Sequence, residues 1–258
     1  MYFNPFAELS ASVPPTIMQA YVIAMILLVA AGTVYDMVHK GSAAYFFENW
    51  RKVNRGARRV TSGEKLALAL QTAAEGLTSG EFCNWRRRVS HLLTMYGFII
   101  YATTTAILVF GYPTSAAPAP IIVPQLWHVG ALMICVGGYW FWFFIRVDVA
   151  AEGHSPLRIV RADLFILSLL ASATFALLWS SLEEAGSTWA TIFLGAYVIA
   201  TTVLFGSVPW SKFSHMFFKP AAAFQKRLAE ANGSRSNLPA PADKPATLGS
   251  SRRQPRHY

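Results

Sequence analysis

The sequence predicts an all-α integral membrane protein: a bundle of five transmembrane helices, N-terminus outside and C-terminus cytoplasmic. Three observations predict it. Of the 258 residues, 54% are hydrophobic and only 14% charged, too apolar a balance for a water-soluble chain of this length. Five runs free of charge, residues 13–35, 89–112, 121–145, 164–182 and 185–211, approach or exceed the roughly 20 residues that cross a hydrocarbon layer. The 22 Lys and Arg are then confined to one side: ten between residues 36 and 90, three in the connection between the third and fourth runs, and nine after residue 211. Positive charge concentrates on cytoplasmic loops, so the long loop and the tail face the cytoplasm.

That distribution also decides what the net charge of +9 means. A nucleic-acid surface would gather its cations on a folded soluble face; here they alternate with the spans, and no nucleic-acid partner is expected. The chain divides into residues 1–38, an outer segment and the first span; 39–87, a basic cytoplasmic loop with an amphipathic helix; 88–211, spans two to five; 212–230, a cytoplasmic interfacial helix; and 231–258, a tail of disordered composition rich in Ser, Pro, Ala and Arg.

The elements follow in order. Pro14 and Pro15 stand where a helix start tolerates proline, and the first apolar run is too long for a cleaved signal peptide, so it reads as a retained packing helix. In the long loop, Thr61 or Ser62 reads as an N-cap with Glu64 following. Leu66, Leu68, Leu70, Ala74 and Leu77 then make a helix apolar enough to lie on the membrane or against a soluble partner. Span three carries Gly137, Gly138 and a run of aromatics from Tyr139 to Phe144, placed as an interfacial belt. Asp163 opens span four, as a dipole-compensating cap on the simplest reading. Ala171–Thr174 are small enough for a close neighbour, and Pro209 loosens the end of span five. Cys83 and Cys135 have no metal-ligand spacing and read as packing residues.

Ionisable groups in a membrane are costly and so point to function. Of six histidines, His39, His154 and His257 belong to loops or tail, leaving His91, His128 and His215. His91 opens span two and His215 follows span five, both at the cytoplasmic boundary. Two imidazoles on different helices at one depth suit axial ligation of a haem iron; two interfacial histidines facing water or head groups are the plainer alternative. Arg86, Arg87, Arg88 and Lys212 lie at the same level, where haem propionates would need cations. With no CxxCH in the chain, the haem would be b-type. His128 lies toward the outer side, as a hydrogen-bonded structural residue, the lining of an outer pocket, or one member of an unusual second site.

The segments Arg88-Val-Ser-His91, Ala162-Asp163-Leu-Phe-Ile-Leu-Ser-Leu-Leu170 and Pro209-Trp-Ser-Lys-Phe-Ser-His215 resemble the haem b membrane subunits of the nitrate reductase gamma-like superfamily. The similarity covers about residues 85 to 225. Ser214-His-Met-Phe-Phe-Lys-Pro-Ala-Ala-Ala-Phe-Gln-Lys226 looks most like the membrane anchors associated with dissimilatory adenylylsulfate reductase. The resemblance implies a multi-pass subunit of the cell inner membrane. Such a subunit links a cytoplasmic iron–sulfur flavoprotein to quinone, itself non-catalytic or reactive only toward quinone. It implies His91 and His215 as ligands of an inner haem b, with Arg88 and Lys212 as propionate or quinone contacts. The positions of the family's outer ligand pair are Tyr101 and Tyr197 here. A haem-free structural anchor is the alternative.

Overall fold

The computed structural model describes residues 3–39, 46–51, 58–80, 84–146, 159, 163–210 and 215–233; side chains are described for these except 215–219. Eight α-helices are delimited among them: α1 (Pro5–Leu9), α2 (Pro15–His39), α3 (Ser62–Thr78), α4 (Trp85–Ala106), α5 (Ile122–Trp140), α6 (Leu164–Glu184), α7 (Ala190–Gly206) and α8 (His215–Ala231). No strand occurs among the described residues. Four helices are long and apolar enough to cross a membrane: α2, α4 and α5, the last two extended by π turns to Gly111 and Ile145, and α6.

The fifth apolar run makes a shorter helix, the 17-residue α7. Its first residues are spent on a turn. Gly186 takes φ 65° and Ser187 N–H reaches back to the Leu182 carbonyl at 2.9 Å, the glycine-ended termination that satisfies the last carbonyls of a helix. At the other end Val208–Trp210 tightens into a 3₁₀ turn around Pro209.

The chain forms two compact units, Met1–Met37 with Asn84–Ser214, and Val38–Cys83 with His215–Tyr258. In the first, α4 and α5 pack backbone to backbone. A Cβ on Gly97 would lie 2.8 Å from the Gly130 carbonyl oxygen, one on Gly130 2.7 Å from the Tyr101 nitrogen, and one on Gly137 2.7 Å from the Ser90 carbonyl oxygen. Small residues permit such an approach, and in lipid that contact, rather than water exclusion, holds helices together. Ser90 Oγ donates to the Gly137 carbonyl at 2.8 Å. Polar links continue around the bundle: Trp127 Nε1 donates to Thr105 at 2.9 Å, Tyr139 and Thr174 hydroxyls pair at 2.9 Å, and Ser172 and Thr201 pair at 2.8 Å. The α2 helix is mostly exposed along its length and joins through Gln19, which donates to the Val109 carbonyl at 3.2 Å, and Tyr21, which donates to the Val198 carbonyl at 3.0 Å.

The second unit is held by α3 and α8. Leu228 and Ala229 are buried against Trp50, Val60, Leu68 and Phe224, and Arg227 pairs with Glu75. Thr61, not Ser62, caps α3: its hydroxyl accepts from Glu64 N–H while the Glu64 carboxylate accepts from Thr61 N–H, a reciprocal capping box.

Candidate functional site

The end of the first unit that carries α1 is closed by a cluster of aromatic rings whose key was not legible as a function in the sequence. Asn4 caps α1, accepting from the N–H groups of Phe6 and Ala7, and donates through Nδ2 to the Tyr112 carbonyl at 3.0 Å. This short helix inserts Phe6, 5% exposed, edge-on between Trp127 at 5.6 Å and Trp179 at 5.4 Å between ring centroids. Both tryptophans are fully buried. Trp127 lies 5.4 Å from Tyr101, and Trp179 stacks on Tyr197 at 5.7 Å. The only sequence signal for α1 was Asn4-Pro5, a cap followed by a proline at the first helical position.

Tyr101 of α4 and Tyr197 of α7 are both buried and interact with each other across the bundle, with Ser172 beside them. By distance and angle the Tyr101 hydroxyl and the Trp179 indole N–H have no hydrogen-bond partner among the described residues. The positions at which the resemblance places an outer ligand pair thus do meet. They carry phenols, and the space between the helices is filled by side chains.

His128 has both ring nitrogens engaged. Nδ1 lies 2.7 Å from the Pro124 carbonyl oxygen, which only accepts, so Nδ1 bears the proton. In the neutral ring Nε2 then accepts from the Ser180 hydroxyl at 2.8 Å. Trp127 closes over the ring edge-on at 4.9 Å. Of the three readings open from the sequence, the structure places His128 as a hydrogen-bonded core residue.

His91 lies in the second turn of α4 and is half-buried. Its neighbour Ser90 faces Gly137, so His91 is turned about 100° away from that contact. Arg88, one turn earlier, is exposed, and Arg86 lies over the exposed Trp85 ring at 5.9 Å, an interfacial aromatic with its cation. His215 is the first residue of α8, in the second unit; its side chain, like Lys212, lies outside the described residues. A half-buried imidazole near a helix end is the donor type that a b-type haem would require, so His91 fits that group.

One charged group at the end of the spans does more than the sequence suggested: Asp163 stands at the N-cap position of α6, where a carboxylate favours the helix dipole. Asp163 makes no capping hydrogen bond to α6. Its carboxylate accepts from Arg146 Nε at 3.2 Å and from a terminal guanidinium nitrogen as well, a bidentate pair buried on both sides. The Arg146 guanidinium also covers the Trp142 ring at 4.0 Å. Pairing satisfies two charges that the apolar surroundings would otherwise penalise; a cap can serve only one. No cluster of three or more His, Cys, Asp or Glu suited to a metal ion occurs among the described residues.

No protein-family model, curated protein or solved structure matches this chain.

Proposed function

We propose that this chain is the membrane subunit of an oxidoreductase complex, anchoring a cytoplasmic iron–sulfur flavoprotein at the cell inner membrane and linking it to the quinone pool. Adenylylsulfate reductase is the partner that the sequence resemblance names. In this reading α7 joins the other four as a fifth span, with the N-terminus outside and the C-terminus in the cytoplasm. The observation that carries the reading is the meeting of Tyr101 with Tyr197. It brings α4 and α7 together across the core at the two positions that the resemblance pairs.

With buried phenols at the positions of an outer ligand pair, the cofactor expected is a single inner haem b, which His91 and His215 would hold, with Arg88 and Lys212 as cationic contacts. When bound, that haem supplies one-electron transfer. The protein's own part is to fix the helices and exclude water. Gly97, Gly130 and Gly137 hold α4 against α5, and Phe6, Trp127 and Trp179 close the outer end.

The alternative, a haem-free anchor, is favoured by one feature: the outer half of the bundle closes its core with side chains alone. A dithionite-reduced minus oxidised spectrum of the full chain, expressed with haem supplied, separates the two. The haem reading expects a b-type band that His91→Ala and His215→Ala each remove and His128→Ala leaves. No band in the wild-type protein leaves the anchor alone. Failure of a tagged copy to co-purify an iron–sulfur flavoprotein from its native membrane rejects both.

A further inference from the structure

The α3 helix has two opposite faces, only one of which the other described residues cover. At 100° per residue, Leu68, Thr72 and Glu75 share the side that packs toward α8. On the other side Leu66, Leu70, Ala73 and Leu77 form a stripe at i, i+4, i+7 and i+11, with the leucines 62%, 63% and 53% exposed. Ala67, Ala69, Ala74 and Gly76, all exposed, widen it to half the helix circumference, and no charged residue falls within that half. The acids are drawn away from it, Glu64 to Arg58 and to its own cap, Glu75 to Arg227.

We infer that this uncovered face lies in the cytoplasmic leaflet of the bilayer, with anionic lipid as its partner. Three things favour lipid over protein. The face offers Leu, Ala and Gly but none of the aromatic or Arg anchors around which protein interfaces are built, whereas burial in acyl chains requires only apolar area. Only six residues separate Thr78 from Trp85, where a membrane-crossing helix begins; such a stretch cannot carry α3 far from the interface. Residues 36–90 hold ten Lys and Arg against five Asp and Glu, among them the exposed Arg51, Arg59 and Lys65, a balance that attracts an anionic surface. This inference rests on the proposed orientation, with residues 39–87 on the cytoplasmic side, and it stands whether or not haem is bound.

The test uses the full chain, with Cys83 and Cys135 replaced by Ser, in nanodiscs of phosphatidylcholine and phosphatidylglycerol. Nitroxides placed singly at Leu66, Leu70, Leu77 and Gln71 are compared for collision with oxygen, which concentrates in acyl chains, and with a water-soluble nickel chelate. The three leucine positions should favour oxygen and Gln71 the chelate. Chelate-favoured leucines would mean a solvated face, and leucines shielded from both would mean a protein covering; either result overturns the inference. In the unlabelled wild-type chain, a lipid with a photoactivatable acyl chain should leave adducts on α3 at the leucine stripe. Absence of adducts there, with adducts on α2 as the positive control, would also overturn it.

Discussion

Tyr101 and Tyr197 meet in the core of the bundle, one from α4 and one from α7, each 7% exposed. The Tyr101 hydroxyl is buried with no partner in hydrogen-bond geometry among the described residues. An unsatisfied buried polar group costs about 1–3 kcal/mol, while the ring beside Trp127 is needed for packing. Tyr101→Phe should therefore leave thermal stability unchanged or raised, and Tyr101→Ala should lower it by about 3–5 kcal/mol, the range for loss of a large aromatic from a core. Thermal unfolding in one detergent compares the two.

The close approach of α4 and α5 predicts a contrast among glycines. Alanine at Gly97, Gly130 or Gly137 sets a methyl within 3 Å of facing backbone, and each should cost about 1–3 kcal/mol, the usual penalty for overpacking. Gly195→Ala, on α7 with nothing within 4 Å of its added Cβ, should be neutral. The four variants in one unfolding series check this.

Arg146 and Asp163 should behave as a unit. Removing either partner alone breaks a buried bidentate pair, and Asp163→Ala or Arg146→Met should destabilise by about 3–5 kcal/mol. The double variant with apolar residues at both places should recover most of the loss. A double-mutant cycle reads the coupling; additive single losses would rule out a direct pair.

His128→Ala strands the Pro124 carbonyl and the Ser180 hydroxyl, both bonded to this ring in the native protein. It should lower the unfolding temperature by several degrees, with a loss of roughly 2–4 kcal/mol for two buried groups left unpaired. His128→Gln, which can still bond both, should recover part of it.

The start of α3 should depend on pH. The Thr61 N–H bonded to the Glu64 carboxylate holds that group below its usual range, with help from the Thr61 hydroxyl and Arg58. A carboxylate pKa lowered by folding contributes stability that is present above its unfolded value and lost as pH falls through the folded one. Amide exchange at residues 62–65 should therefore accelerate, after correction for intrinsic rates, as the pH drops below the ordinary carboxylate range. Glu64→Gln should flatten that dependence.

Much of the architecture was legible because it depends on composition and period. The spans were marked by absence of charge, and the cap of α3 by Thr61 with Glu64 three residues on. The fifth run was harder to read, since an apolar run does not show that a glycine with positive φ will claim its first turn. Asp163 stands at the cap position its place in the sequence suggests, because capping is local; its pairing with Arg146, 17 residues away, is not. The fate of His128 likewise depended on Ser180, 52 residues on, and Phe6 gave no sign that it plugs the bundle.

What the sequence alone determined is the class of protein: long apolar helices, basic segments between them, and histidines at the ends of the apolar runs. These follow from burial and charge, which act on each segment separately. The tertiary structure decided which side chains share the interior. It set phenols against each other where ligands were sought, turned His128 inward to Ser180, tied Arg146 to Asp163, and left one face of α3 exposed among the described residues. Those outcomes depend on close packing between distant segments, where a single glycine or tryptophan determines what space remains.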